Sequence, residues 1–123
     1  MEEHMEDKKL FMNTYTGRVF NPLEMVSDNV AIEDIAHALS MMCRGNGHLR
    51  FFYSVGLHSI NCAQEAIARG YQTGTVLACL LHDATEAYIA DLIRPVKNQL
   101  PEYEIMENNL FEVIKEKFFL QHL

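Results

Sequence analysis

One stretch constrains everything else in the chain: Thr75-Val-Leu-Ala-Cys-Leu-Leu-His82-Asp83-Ala-Thr-Glu86-Ala-Tyr-Ile-Ala-Asp91. Val76 to Leu81 run without a polar break and then meet an adjacent His-Asp pair. A helix that is apolar on every side belongs in the centre of a bundle, so this segment is expected to be the central rod of an all-α fold. An unpaired carboxylate buried there is strongly unfavourable. Asp83 therefore needs a cation or strong donors. A divalent metal satisfies His82 and Asp83 together, because imidazole nitrogen and carboxylate oxygen suit the same ions.

The chain has 123 residues, enough for one domain and one real core but not two domains. A hydrophobic content of 49% excludes a disordered protein. The apolar runs are far shorter than the roughly 20 residues of a membrane span. The opening Met-Glu-Glu-His-Met-Glu-Asp-Lys-Lys is charged and carries no apolar signal region, so a cytoplasmic location is expected. A net charge of -7 argues against a nucleic-acid polymer as partner, which needs a basic patch. A small anionic substrate is still allowed, because cations can collect in one pocket. Cys43, Cys62 and Cys79 have no CxxC spacing and lie in apolar helical segments. They read as reduced core thiols, neither a disulfide frame nor a zinc finger.

Residues 1–9 read as a frayed terminus and 10–123 as one domain. Leu10 to Phe20 suggests a short hairpin turning at Gly17. Ile32, Ile35, Ala36, Leu39, Met42 and Cys43 recur at helical spacing, predicting a helix from Ile32 to Cys43, with His37 off the stripe and facing water. Arg44-Gly-Asn-Gly-His48-Leu-Arg50 has two readings. It is a helix stop with basic residues near the negative end of the dipole, or an anion pocket in which Arg44, His48 and Arg50 surround a flexible backbone.

A second helix is predicted from Tyr53 to Arg69, capped by Gly70. His58 sits beside its packing face, as a hydrogen-bonded core residue or as a ligand. The short link after Gly70 makes the next helix antiparallel. The start of one helix and the end of the next then lie at the same level, so His58 and His82 can meet. On a regular helix His82 and Asp83 point about 100° apart, and Glu86 shares their face. Asp91 follows where the pattern loosens before Arg94-Pro95, and Pro95 ends the segment. A final helix is predicted from Leu100 to Phe119, buried along Tyr103, Met106, Leu110, Val113, Ile114 and Phe118.

At His58, His82-Asp83, Glu86 and Asp91 the chain resembles the HD superfamily of metal-dependent phosphohydrolases. The similarity extends through Ile32-Glu-Asp-Ile-Ala-His-Ala-Leu, Cys43-Arg-Gly-Asn-Gly-His48, Phe52-Tyr-Ser-Val-Gly-Leu-His58-Ser, Arg94-Pro-Val-Lys97 and Leu100-Pro-Glu-Tyr. These are similar to stretches of small bacterial and phage HD hydrolases, among them 5′-deoxynucleotidases and dATP triphosphohydrolases. The resemblance implies a compact helical bundle of the HD type. It implies a divalent metal (Mn, Co, Fe, Ni, Zn or Mg) held by His58, His82 and Asp83. Glu86 and Asp91 take the catalytic positions at the attacking water, and Arg44, His48 and Lys97 the positions that face phosphate. The expected reaction is hydrolysis of a (deoxy)nucleotide phosphate ester, and the relatives are often homodimers. The apolar end Phe118-Phe119-Leu120 is a candidate interface.

The family's last metal-ligating aspartate lies on a helix beyond the one ending near Phe119, whereas this sequence stops at Leu123. Three protein ligands still hold a catalytic metal, with Glu107 and Glu112 as stand-ins for a fourth. The alternative is a catalytically weak or inactive HD-like module that binds a nucleotide or a partner without turnover.

Overall fold

A computed structural model describes residues 10–118. The expected frayed terminus at 1–9, the helix end at Phe119 and the apolar Phe119-Leu120 lie outside the described residues.

The fold is mostly helical with one small hairpin. β1 (Met12–Asn13) and β2 (Val19–Phe20) pair antiparallel, with Met12 opposite Phe20 and Asn13 opposite Val19. The turn between them passes through Gly17 and closes with the Thr14 amide donating to the Arg18 carbonyl at 2.8 Å. α1 spans Ile32–Ser40, α2 Val55–Ala68, α3 Thr73–Leu81, α4 Glu86–Ile89, α5 Arg94–Lys97 and α6 Pro101–Lys117. α1 stops three residues before the predicted Cys43. Cys43 instead bridges to Ser54 in extended conformation, so that Arg44 donates to the Tyr53 carbonyl at 2.9 Å.

The hairpin is fastened to α1 by Asp34. Its carboxylate accepts from the Thr16 amide at 2.8 Å and from the Thr16 hydroxyl at 2.9 Å. Asp34 is 3% exposed, so these two donors satisfy a carboxylate that burial would otherwise penalise. Tyr15 stacks on His37 with ring centroids 3.7 Å apart, and His37 is exposed on its outer side as expected.

The core gathers Val30, Ile35 and Leu39 around Val55, Leu81, Ala84 and Tyr88, with Leu110 and Ile114 of α6 closing one side. The Tyr88 hydroxyl receives the Ala31 amide at 3.4 Å. α2 starts with Ser54 as its cap, whose hydroxyl accepts from the Leu57 amide at 2.9 Å. At Gly56 an added Cβ would lie 3.1 Å from the Ser40 hydroxyl and 3.3 Å from the Ser40 nitrogen. The end of α1 thus presses directly on the start of α2.

α2 ends as the sequence requires. Gly70 adopts φ +80. Its amide reaches the Ile67 carbonyl at 3.0 Å and the Tyr71 amide reaches Ala66 at 3.1 Å. This left-handed cap closes the helix and reverses the chain within a few residues, so α3 runs back along α2.

Two expectations are corrected. Val76 to Leu80 are all half-buried, and within α3 only Leu81 is buried. α3 is a flank of the bundle, because the described elements cover it on the α2 side. Pro95 does not end a segment. It lies in the first turn of α5, where proline lacks no needed donor. Among the described residues, no helix is long and apolar enough to cross a membrane.

Replacing Asp34 with Ala is expected to lower stability by about 1–2 kcal/mol, since it removes both hairpin anchors. Asp28→Ala, on an exposed side chain, should stay within about 0.5 kcal/mol. Urea unfolding of the three proteins checks this.

Candidate metal centre and cleft

His58, near the start of α2, and His82, just past the end of α3, come together as their antiparallel helices dictate. The ring centroids are 5.4 Å apart. Asp83 lies between them, with its Oδ2 3.0 Å from His82 Nε2 and 3.7 Å from His58 Nε2. His82 Nδ1 donates to the Cys79 carbonyl at 2.7 Å. That bond fixes the ring and turns Nε2 toward Asp83. In a neutral ring Nε2 is then an acceptor facing another acceptor. Either a proton or a cation must sit between them.

The segment carrying Asp83 is not the regular helix that the sequence suggests. α3 stops at Leu81, and the amides of Ala84, Glu86, Ala87 and Tyr88 each reach back only three residues, at 3.0–3.2 Å. Such tight winding eclipses side chains three apart. It places Glu86 directly beside Asp83, closer than an α-helix would. The apolar Leu81, Ala84 and Tyr88 are drawn into the core by the same winding.

The charges sort themselves accordingly. Burial first, then the hydrogen bond to Asp83 and the charges of Asp83, Asp91 and Glu107, push the Glu86 carboxyl up to about 9. Burial also pushes Asp83 up, but the hydrogen bonds from His82 and Glu86 and the charges of both histidines outweigh it, and Asp83 ends below the usual range. Of the two, Glu86 is the one that holds a proton more readily. The hydrogen bond to Asp83 raises His82, opposed by its burial. His58 is lowered by burial and by the nearby Arg44 guanidinium. Burial and the charge of Asp83 raise Asp91, which Lys97 and Arg44 counteract.

Cys62, one turn after His58, reads from the sequence as a core thiol. Its Sγ lies 3.6 Å from His58 Nε2. Ligand atoms of His58, Cys62 and His82 all fall within 4.8 Å of one another, so this group could hold a metal ion. The H-x-x-x-C spacing on one helix face was the signal available in the sequence. Imidazole and sulfur are donor types that suit ions such as zinc or cobalt.

His82, Asp83 and Glu86 open onto a cleft of about 680 Å³, which Asp91, Arg44 and Lys97 also line. Arg94 joins them from α5, a cation that sequence reasoning left out. His48 does not line the cleft. It is exposed at the end of the Arg44–Gly47 turn, as is Arg50 beyond it. Lys97 Nζ is paired with Glu107 at 2.5 Å. Glu107 faces the cleft, whereas Glu112 does not line it and pairs with Lys115.

Asp91 is aimed by an unusual residue before it. Ala90 has φ 68 and ψ 172, a region nearly restricted to glycine that costs about 1–3 kcal/mol. The Tyr103 hydroxyl of α6 donates to the Ala90 carbonyl and helps hold it there.

No family model matches the chain. It is 40% identical over 110 residues to the uncharacterized protein YfdR of Escherichia coli K12, an alignment covering 89% of this chain and 59% of that protein. It is 38% identical over 95 residues to an uncharacterized protein of Rhodobacter capsulatus, covering 73% of this chain and 48% of the relative. The chain thus spans about half to three fifths of the length of the curated relatives it matches.

Zn²⁺ or Co²⁺ at 1,000-fold over its dissociation constant should stabilise the protein by about 4 kcal/mol, read as a rise in Tm. His58→Ala and His82→Ala should abolish the rise. Separately, Ala90→Gly should gain about 1 kcal/mol in urea unfolding, the relieved strain exceeding the extra chain entropy of glycine.

Proposed function

We propose that this chain is a metal-dependent phosphohydrolase domain of the HD type that hydrolyses a phosphate ester of a (deoxy)nucleotide. The observation that carries the proposal is the convergence of His58 on His82 and Asp83, the latter two lining a cleft that also holds Glu86, Asp91 and three cations. His58, His82 and Asp83 would hold the ion. A divalent cation there supplies Lewis acidity at a phosphoryl oxygen and positive charge that draws protons off nearby water and carboxyl groups.

The protein's own groups divide the remaining work. Glu86, beside Asp83 and ionised once its proton is drawn off, accepts the proton of the water that attacks phosphorus. Asp91 faces the same space from the opposite end of α4 and holds the water or the leaving group. Arg44, Arg94 and Lys97 offset the phosphate charge as it develops. The buried floor formed by Thr85, Glu86 and Val55 limits the water that reaches the site. Phe111 and Leu92 on the rim offer apolar surface to a base. The cleft volume suits a small molecule.

One observation favours the second reading, binding without turnover. The cleft sets Asp83, Glu86, Asp91, Glu104 and Glu107 against only Arg44, Arg94 and Lys97, and Lys97 is already paired with Glu107. Phosphate then meets a wall that is acidic unless a cation is bound.

With Mn²⁺ or Co²⁺, the protein should release phosphate or tripolyphosphate from deoxynucleoside mono- or triphosphates. Glu86→Gln should lower kcat by about 10²–10⁴-fold, the usual contribution of a positioned base, with little change in KM. His82→Ala and Asp83→Ala should remove activity. An unchanged rate in those two variants would place the chemistry elsewhere, and tight nucleotide binding without product would establish the binding module.

A further inference from the structure

We propose that the α6 side of the cleft is a nucleobase subsite, in which Phe111 stacks on the base and Asn108 hydrogen-bonds along its edge. The inference rests on the phosphohydrolase reading above and deepens it by assigning the part of the substrate that carries no phosphate.

The first observation is register. Tyr103, Leu110 and Ile114 are the buried residues of α6, and Leu110 and Ile114 belong to the core. Glu104, Glu107, Asn108 and Phe111 line the cleft instead. They lie three, four and seven residues along from Glu104, on one side of the helix. Phe111 is therefore a half-buried ring on the cleft side and not a member of the core stripe.

The second observation is how polarity is distributed. Arg44, Arg94 and Lys97, with Asp83, Glu86 and Asp91, make much of the cleft wall charged. Leu92, Ile93 and Phe111 supply apolar lining. A phosphoryl group gains nothing by covering such surface. A flat heteroaromatic base does, because it removes apolar area from water and offers a π-face to the ring. Every base has such a face, so this contact accepts purines and pyrimidines alike. The ring is also braced. Lys115 Nζ stands 5.5 Å from its centroid and is itself paired with Glu112 at 2.5 Å.

The third observation is Asn108, one turn before Phe111 on the same side. Its exposed carboxamide offers two donors and an acceptor. Those match the neighbouring donors and acceptors on the edge of a base. The cleft volume of about 680 Å³ also leaves room for more than a phosphate.

The test separates the subsite from the reaction. Saturation-transfer NMR is run on the full chain, without added metal, using 2′-deoxyadenosine and 2′-deoxycytidine, which carry no phosphate. Transfer to the base protons is expected. Phe111→Ala should lose it, Phe111→Leu should weaken binding at least fivefold, and Phe111→Tyr should restore it. Asn108→Ala should weaken it, whereas Asn109→Ala, exposed and off the cleft, should not. Phe111→Leu keeps apolar bulk, so an unchanged Tm in that variant assigns the loss to stacking. In Mn²⁺ assays, the kcat/KM preference for dAMP over 2-deoxyribose 5-phosphate should fall about 5- to 150-fold in Phe111→Leu, the worth of one base–aromatic stack. Nucleoside binding absent from the unmodified protein or undiminished in Phe111→Leu, or a nucleotide preference that does not fall, would overturn the subsite and leave the hydrolase standing. Nucleoside binding that depends on Phe111, in a chain that hydrolyses no nucleotide, would overturn the hydrolase and keep the subsite.

Discussion

The site depends on how α2 and α3 are joined. The left-handed Gly70 turns the chain so sharply that α3 must retrace α2. Because His58 lies at the beginning of one helix and His82 at the finish of the other, the reversal brings the imidazoles to one level. Asp83 then has two nitrogen partners, which is why a half-buried carboxylate there is tolerable. Every later feature of the cleft follows from this level. Burial, with the charge of Asp83 beside it, raises the Glu86 carboxyl, while the two histidines help hold Asp83 below the usual range.

The other wall of the cleft is set by packing of a different kind. Gly56 lets the end of α1 touch the start of α2, and the Cys43–Ser54 bridge with the Val55 amide on the Met42 carbonyl at 2.8 Å fastens the connecting loop. Arg44 is delivered by that loop to a point where its charge is felt by His58, His82 and Asp91 alike. The cation is therefore positioned by backbone hydrogen bonds two residues from α2, while the anchor of the hairpin through Asp34 keeps α1 in place behind it.

Much of this was legible in the sequence, for reasons that differ by element. The hairpin, the cap at Gly70 and the stripe of α6 are local signals, carried by turn residues and by period. The approach of His58 to His82 was legible because a short link leaves two helices one way to pack. The shortened α1 was not, since Met42 and Cys43 continue the apolar period while the chain leaves the helix to pair with Ser54. The tight winding after Leu81 was equally hidden: the core draws in Leu81, Ala84 and Tyr88 together, a demand set by α1 and α6 and not by the segment itself. His48 and Arg44 are alike in composition, yet only Arg44 faces the cleft, because the left-handed Gly45 and Asn46 send the chain away after it. Cys62 was passed over because a sulfur in an apolar helix has a bland explanation until its neighbours are known.

Ala90 carries a mechanical implication. Its backbone occupies a conformation that it would leave if released, and the phenol of Tyr103 is the tether. The last helix is thereby coupled to the carboxylate one residue further on. A displacement of α6 that broke the tether would free the strained Ala90 backbone, so a helix that lines the cleft through Glu107 and Phe111 also bears on where Asp91 is held.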